Sequence, residues 1–371
     1  MHLVFLFPDF ETVDKMLGLF NKWGIKNTIG RPFVLCKDNK EVGDRILKIY
    51  DLDEYVEVIP AHVMTPNGIY GSQNPINYLK DFFGEAADRI QIFETGLSAD
   101  QYVLSLIPEL DDKTLISNSD AHSPALNRLG REFTSIEVND LKYQSIIKAL
   151  RENKIIYTSE FNPTEGKYFL TGHRAGKKDH NKSYCVYSPK YVPKDNICPI
   201  CGKKVTIGVL QRALELNEIQ GEKREYGFLP KGRPNFVHMV PLIEIIGAHL
   251  GVKSLGSKKI NNIYTNIVTQ FGNECELWFQ SESEIRKKLD GIVDEKLIND
   301  IITIRQGNFC FEPVGYDGAY GELKIGKTID FFEIKEIYID EETKKLIEKR
   351  KLENKNKRRS NKRSNKLDKF L

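Results

Sequence analysis

The sequence predicts an α/β fold in its first part, followed by a small cysteine-rich module and a mainly helical region. Short apolar runs alternate with helical patterns through residues 1–150. Three of the six cysteines cluster within residues 185–201, and residues 206–330 show mostly helical periodicity. A length of 371 residues also predicts two or three domains, because single cores stop growing near roughly 250–300 residues.

The elements of residues 1–150 follow from the apolar runs and their spacing. The predicted strands are LVFLF, VEVIPAHV, RIQIFETG and TLISNSDAHSP, and the predicted helices are ETVDKMLGLFNKWG, PINYLKDFFG and SIIKALRENK. Gly24 is the expected C-cap of the first helix. Strands separated by helices predict βα units and a mainly parallel sheet.

The later elements differ in composition. Residues 151–205 are rich in Lys, Tyr, Pro, Asn and Gly and hold the cysteine cluster. The helices predicted in residues 206–330 are VLQRALELNEI, VPLIEIIGAHLG, KINNIYTNIVTQFG and EKLINDIITIRQG. The side chains assigned to this helical core are those of His238, His249, Cys275, Cys310 and Trp278.

The charge is unevenly distributed along the chain. Residues 344–371 carry 13 Lys or Arg and 3 acids, which gives a net charge of +10. Because the whole chain has a net charge of +3, the remaining residues have a net charge of −7. Few apolar residues are present there to bury, and we expect residues 331–371 to form a basic, disordered tail. Such a tail is either a solubilising end or an arm that binds nucleic-acid phosphates.

Several classes of protein are excluded. The sequence has 40% hydrophobic residues but no run of 18 apolar residues, so neither a disordered chain nor a transmembrane helix is expected. The N-terminus has no basic n-region or small-residue cleavage site, which indicates no signal peptide and a cytoplasmic location. Clustered cysteines in such a compartment favour a metal site over disulfides.

Histidines and carboxylates follow the predicted strands of the first part. His62, Glu94, Asp120 and His122 fall at strand carboxyl ends, and His2 lies beside the first strand. Imidazole nitrogens and carboxylate oxygens suit Zn²⁺, Mn²⁺ or Fe²⁺, and two such metals would clamp a phosphoryl group. The alternative, that each histidine only makes local hydrogen bonds, is equally compatible with the spacing.

The cysteine cluster predicts structural zinc. CPICG places Cys198 and Cys201 at the spacing of a zinc knuckle, and Cys185 is the obvious third ligand. His173 and His180 compete for the fourth position. A redox pair is disfavoured, because no thioredoxin-like βαβ pattern surrounds the two cysteines.

A resemblance to a known family strengthens both metal predictions. SNSDAHSPALNRLGREF resembles the polymerase-and-histidinol-phosphatase (PHP) superfamily and, within it, the endonuclease Q family of DNA repair nucleases. The strings PAHVMTP, ETGLSAD, GKYFLTGHR, CPICGKKVTIGV and RPNFVHMVPLIEIIG occur in the family's order across residues 1–330. The resemblance implies a PHP-type distorted (β/α) barrel that holds the metals. It also implies a zinc-binding module and a helical region, which together bind DNA.

The resemblance also assigns residues. It implies that Asp120, His122, His62 and His2 hold catalytic Zn²⁺, Mn²⁺ or Mg²⁺, with Glu94 as a ligand or a group that orients one. Asp120 or His122 could instead transfer protons. In the zinc module, the GHR string favours His173 over His180, which is then expected to be a solvated loop residue.

One family feature does not occur in this sequence. The resemblance implies an earlier strand with Asp-x-His-x-His and a further acidic ligand, whereas this sequence opens at the His2 strand. We therefore expect a truncated barrel with weakened metal binding. A misplaced start codon, a truncated gene product or a second chain that supplies the missing segment would each explain this, and truncation is the expectation.

Candidate DNA contacts lie near both metal motifs. Guanidinium groups beyond the Asp-x-His motif would clamp a phosphate or else form a helix-surface pair. Basic residues beside the zinc knuckle would contact phosphates, and tyrosines of the Gly-rich loop would stack on an exposed base. These candidates are Arg128, Arg131, Lys203, Lys204, Arg212, Tyr316 and Tyr320.

These expectations combine into a metal-dependent endonuclease. The resemblance implies that it cuts DNA 5′ to uracil, hypoxanthine or abasic sites, with Asp120, His122, Glu94 and Arg131 in catalytic roles. The alternatives are a catalytically inactive DNA-binding module and a PHP-type phosphoesterase with a small substrate. The zinc module and basic tail disfavour the last alternative, because a small substrate needs neither. No membrane partner is expected.

Overall fold

The first part of the chain alternates strands and helices. In this computed structural model the described residues are 1–26, 32–73 and 75–350. The elements up to residue 160 are β1 Leu3–Leu6, α1 Phe10–Lys22, α2 Asn39–Tyr50, β2 Glu57–Pro60, α3 Lys80–Phe83, β3 Ile92–Glu94, α4 Gln101–Leu104, β4 Thr114–Ile116, β5 Phe133–Ile136, α5 Tyr143–Arg151 and β6 Ile155–Glu160. All predicted strands and helices of this part are confirmed, although PINYLKDFFG forms only the short α3.

The second part contains more helix. Its elements are β7 Thr171–His173, β8 Tyr184–Tyr187, α6 Val209–Ile219, β9 Asn235–His238, α7 Leu242–Leu250, α8 Lys258–Phe271, α9 Glu274–Phe279, α10 Glu282–Leu289, α11 Glu295–Arg305, β10 Phe309–Glu312, β11 Glu322–Ile325 and β12 Lys335–Tyr338. The four predicted helices correspond to α6, α7, α8 and α11. Among the described residues, no helix is long and apolar enough to cross a membrane.

Local sequence signals explain where the helices begin and end. Asp9 accepts a hydrogen bond from the Thr12 backbone amide at 2.8 Å and caps α1, which buries Met16 and Phe20 against the first core. The predicted Gly24 does follow α1, with a φ of 69° that favours glycine. Capping and amphipathicity together therefore fix this helix.

The sheets are mixed rather than mainly parallel. β3 pairs with β4, and β6 with β9, in parallel, but β1 pairs with β2 and β5 with β6 antiparallel. The expectation of a mainly parallel sheet is wrong. Periodicity identifies the crossover helices, but it does not specify the direction in which the chain re-enters the sheet.

One edge of these strands gathers polar residues, and we call it the polar edge. His62 follows β2, Glu94 ends β3 and the loop with Asp120 follows β4. Arg131 precedes the reversed strand β5, and His238 ends β9. Backbone hydrogen bonds from Val63 to Glu94 and from Thr95 to Ile116 join β2, β3 and β4 at this edge. The α/β fold thus brings residues far apart in sequence to one side.

The cysteine-rich module packs around a small core. β7, β8 and β12 form an antiparallel sheet in the order β12-β8-β7. The core beside it is formed by Cys185, Tyr187, Cys198, Ile200 and Val205. The predicted disorder of residues 331–371 is wrong for residues 331–350, because β12 pairs with β8, residues 341–350 are helical, and Ile339 and Ile347 pack on this core. Residues 351–371 lie outside the described residues.

Two large cores divide the remainder. The first contains the N-terminal elements and also Val209, Leu210, Ala213 and Leu216 of α6. The second is formed by α7–α11 with Phe311 of β10. The predicted boundary at residue 206 therefore differs from the packing, since α6 belongs to the first core. Trp278 lies in the second core as expected.

Candidate metal centres

His2, His62 and Glu94 meet at the polar edge. His2 Nδ1 lies 3.0 Å from His62 Nε2, although the residues are 60 positions apart. The His62 backbone amide donates to Glu94 Oε2 at 2.7 Å, and the His62 ring contacts Thr65 Oγ1 at 3.0 Å. Three of the predicted ligands are therefore connected, and each offers a nitrogen or oxygen donor.

The backbone at this point is held in an unusual conformation. His62 has a φ of 35° and Asp120 a φ of 46°, both in the left-handed region that non-glycine residues rarely adopt. Gly96, with a φ of 71°, lies so close that a Cβ there would come within 2.5 Å of His62 Cβ. Such conformations persist only when surrounding contacts enforce them, and they concentrate at functional sites.

Burial shifts the pKa values of His62 and Glu94 in opposite directions. Desolvation lowers the pKa of His62 and raises the pKa of Glu94, while hydrogen bonds from the His62 amide and Asn118 oppose the rise at Glu94. A histidine with a lowered pKa is neutral at physiological pH. Neutral imidazole is the form that ligates a metal, so this environment suits a ligand.

Asp120 and His122 lie at the open side of the same edge. Both are exposed, and His122 Nδ1 contacts the Asp120 carbonyl oxygen at 2.6 Å and its carboxylate at 3.9 Å. Within the described parts of the chain, the His, Cys, Asp and Glu residues whose ligand atoms all approach within 4.8 Å of one another are found elsewhere, at the cysteine module. The structure brings the five predicted residues to one edge without closing them into such a group.

The compact group comprises His173, His180, Cys198 and Cys201. Cys198 Sγ lies 3.5 Å from His180 Nε2, and Cys201 Sγ lies 3.5 Å from His173 Nδ1. Ligand bonds of about 2.3 Å to sulfur and 2.0 Å to nitrogen give tetrahedral S···N separations of roughly 3.5 Å. The donors therefore have the chemistry and spacing for one tetrahedral metal ion.

His180 differs from its predicted role. It was expected to be a solvated loop residue, but its side chain is fully buried. Its neighbours in KKDHNK are polar, which concealed its burial from sequence reasoning. Cys185, the predicted third ligand, lies 3.7 Å from Cys198 Sγ but outside the compact group. This contact raises the pKa of Cys198 to about 11, a value that a bound cation would lower.

The predicted phosphate clamp is only partly accessible. Arg131 is buried, forms an ion pair with Glu132 and lies over the Phe161 ring at 4.2 Å. Burial raises the pKa of Glu132 to about 8. Arg128 is half-buried in the loop that precedes this pair. Arg131 is therefore part of the packing beneath the polar edge, whereas Arg128 retains some exposure.

Two other predicted DNA contacts are buried. Arg212 donates to the carbonyl oxygens of Tyr70 and Ile76 and fixes α6 on the first core. Tyr316 is 5% exposed and packs in the same core, so it cannot stack on an external base. Both predictions need correction, because Arg and Tyr have apolar bodies that tertiary packing can bury.

The remaining candidates are on the surface. Lys203 and Lys204 are exposed beside the compact group. Lys203 Nζ lies 3.3 Å from Asp179 Oδ2. Tyr320 is 42% exposed, and the Lys167 ammonium lies 4.9 Å from its ring centroid. These three side chains are accessible to a nucleic acid.

The site and fold together define a class of protein: an α/β protein with a polar metal-type edge, a His/Cys centre and a helical C-terminal region. Two solved structures are similar to it in fold. The lesion-specific endonuclease PfuEndoQ from Pyrococcus furiosus is 28% identical, with a TM-score of 0.69 over 88% of this chain and 75% of that chain. Endonuclease Q in complex with a 27-mer duplex carrying an abasic lesion is 28% identical, with a TM-score of 0.71 over 90% and 78%. This chain is therefore similar in fold and sequence to these endonuclease Q structures.

A family model and two curated proteins also match this chain in sequence. The family described as MJ0043 C-terminal domain matches residues 241–308. Uncharacterized protein MJ0043 of Methanocaldococcus jannaschii is 32% identical over 284 residues, and uncharacterized protein YqxK of Bacillus subtilis is 30% identical over 271 residues. The matches cover 74% and 72% of this chain but only 34% and 60% of those proteins.

Proposed function

We propose that this chain acts in DNA repair as a metal-dependent endonuclease that cleaves the phosphodiester 5′ to uracil, hypoxanthine or abasic sites. The observation that carries the proposal is the likeness to endonuclease Q over 90% of the chain at 28% identity. The connected residues His2, His62 and Glu94 at the polar edge support it. DNA containing such lesions is the proposed partner.

The residues at the polar edge fit divalent metals of the Zn²⁺, Mn²⁺ or Mg²⁺ type. His2, His62, Glu94, Asp120 and His122 offer imidazole nitrogens and carboxylate oxygens. When bound, such metals activate water and stabilise the charge that develops on a phosphate. The chain itself lowers the pKa of the partly buried His62 and fixes its backbone through Glu94, while Asp120 and His122 are exposed and so accessible to DNA.

The compact His/Cys group is proposed to bind structural Zn²⁺. Sulfur and imidazole donors at tetrahedral spacing are typical of such sites. Residues 174–183 and 188–197 are rich in polar residues, and the hydrophobic cluster of the module contains five buried side chains. A bound ion would therefore contribute much of the free energy that orders this module.

A second candidate is a DNA-binding module without catalysis. The exposed positions of Asp120 and His122, outside any compact ligand group in the described residues, favour it. In that case the zinc module and the helical region would bind DNA, and the polar edge would hold no catalytic metal.

The two candidates predict different metal contents and activities. We would measure metal content by mass spectrometry on the 371-residue chain and assay nicking of a uracil-containing duplex on the same sample. Additional metal beyond one zinc, with cleavage 5′ to uracil, supports the endonuclease. One zinc without nicking supports the binding module.

A matched pair of variants tests the assigned edge. Asp120→Ala removes a proposed ligand after β4, whereas Asp112→Ala changes an exposed aspartate before the same strand, at its opposite end. We expect nicking to fall at least about 100-fold only in Asp120→Ala, because loss of a group that merely orients a metal ligand already costs about 10–100-fold and Asp120 is a proposed ligand itself. Equal nicking by both variants would remove Asp120 from the mechanism.

A further inference from the structure

The compact His/Cys group is accompanied by a fifth donor that a tetrahedral ion does not need. His173, His180, Cys198 and Cys201 already supply four donors. Cys185 lies opposite His173 in the β7–β8 pair, and its Sγ is 3.7 Å from Cys198 Sγ. Cys185 is therefore a buried thiol beside a metal ligand, and the proposed function gives it no role.

The three sulfurs of the module form a series from the surface to the core. Cys201 is half-buried, whereas Cys198 and Cys185 are fully buried. Cys201 Sγ lies within 4.8 Å of Cys198 Sγ, so Cys198 neighbours both of the other cysteines. An oxidant that comes from solvent therefore meets Cys201 first.

The contact between Cys185 and Cys198 needs little movement to become covalent. A disulfide joins two sulfurs at about 2.0 Å, so these sulfurs have to approach by about 1.7 Å. Both cysteines belong to the hydrophobic cluster that includes Tyr187, Ile200 and Val205. A bond formed there lies inside the module core, whereas a bond to Cys201 stays close to solvent.

We propose that Cys201, Cys198 and Cys185 form a thiol relay that hydrogen peroxide oxidises, with a buried Cys185–Cys198 disulfide as its product. Peroxide converts the Cys201 thiol to sulfenic acid and releases one water. The Cys198 thiol attacks this sulfur, a second water leaves, and Cys198 is joined to Cys201. The Cys185 thiol then attacks Cys198, and Cys201 leaves as a thiol. In total two thiols lose their hydrogens, and one peroxide becomes two waters.

The product removes one donor from the compact group. Only His173, His180 and Cys201 remain, so the group should hold a metal ion more weakly after oxidation. Oxidation would thus release the ion that orders the module. This consequence rests on the proposed structural zinc, whereas the relay does not depend on DNA cleavage.

Peptide mass mapping identifies the disulfide directly. The zinc-loaded 371-residue chain is treated with stoichiometric hydrogen peroxide, free thiols are alkylated, and the chain is digested with trypsin. Cleavage after lysine places Cys185 in residues 183–190 and both Cys198 and Cys201 in residues 195–203. We expect these two peptides to be joined, with the alkyl group on Cys201. A closed loop within residues 195–203, a link through Cys201, or no disulfide would overturn the relay.

Variants assign the final step to Cys185. Cys185→Ser should bind zinc as the unaltered chain does before oxidation, but its oxidation should stop at the closed Cys198–Cys201 loop. Cys275→Ser removes a half-buried thiol of α9, outside the module, and should still give the joined peptides. Loss of zinc from Cys185→Ser before any oxidation would make Cys185 a ligand and would overturn its role in the relay.

Zinc release, followed with a chromophoric chelator, separates the relay from the proposed zinc site. We expect roughly one zinc ion per chain to be released on oxidation. Joined peptides from a chain that binds no zinc would support the relay and contradict the zinc site. Zinc that stays bound while no disulfide forms would support the zinc site and contradict the relay.

Discussion

Glu160 should make the stability of the protein depend on pH. Its carboxylate is fully buried at the end of β6 and accepts a hydrogen bond from the Gln101 backbone N–H at 2.9 Å. Burial, with a further contribution from the negative charge of Asp100, raises the pKa of Glu160 to about 7. The ordinary value is 4.5. The folded protein therefore binds this proton more tightly than the unfolded chain.

The sign and size of the effect follow directly. Because the folded pKa is the higher one, the stabilising contribution of the protonated carboxyl is present below pH 4.5 and is lost as the pH rises towards 7. A difference of about 2.5 pKa units corresponds to about 3 kcal/mol of unfolding free energy. Glu160→Gln, which stays neutral, should abolish that loss between pH 5 and pH 8.

Urea unfolding at pH 5 and pH 8 measures this contribution. The difference in unfolding free energy between the two pH values should be smaller in Glu160→Gln than in the unaltered chain, by roughly 2 to 3 kcal/mol, because pH 5 already lies slightly above the unfolded pKa. Glu218→Gln, at an exposed position of α6, is the matched control and should keep the original difference. An identical pH dependence in Glu160→Gln and the unaltered chain would refute the reasoning.

Two further changes test the metal centres. Gly96→Ala places a Cβ 2.5 Å from His62 Cβ at a φ of 71°, so it should displace His62 and reduce nicking at least about tenfold. Gly221→Ala, with a φ of 86° and open space around it, should retain activity, and similar losses in both variants would point to backbone strain alone. His180→Asn should reduce the amount of metal bound at the cysteine module more than Cys185→Ser does. Mass spectrometry of the purified protein measures this metal content. The reverse order would make Cys185 the ligand.

Local signals predicted most strands and helices of the first part and several later helices. VLQRALELNEI coincides with α6 residue for residue, because its apolar positions repeat with helical spacing. α2 was not predicted, although Asp38 caps it and Ile46 and Ile49 are buried. Its apolar residues are few and are separated by many charged residues, which obscures the amphipathic pattern.

The residues of the candidate metal site remain a prediction. Strand ends and family-like strings proposed His2, His62, Glu94, Asp120 and His122, and the fold brings these residues to one edge. Sequence reasoning missed the burial of His180 and the close approach of Gly96 to His62. Each of these depends on contacts between segments that are distant along the chain.

The sequence by itself determined the α/β pattern, the cysteine module and the chemical types available to each site. These properties follow from residue identity and from periodicity within short segments. Only the tertiary structure decided the strand directions, the burial of Arg212 and Tyr316, and the pairing of β12 with β8. The reason is physical: burial and register depend on which distant surfaces meet, and the same local segment can be exposed or buried according to that packing.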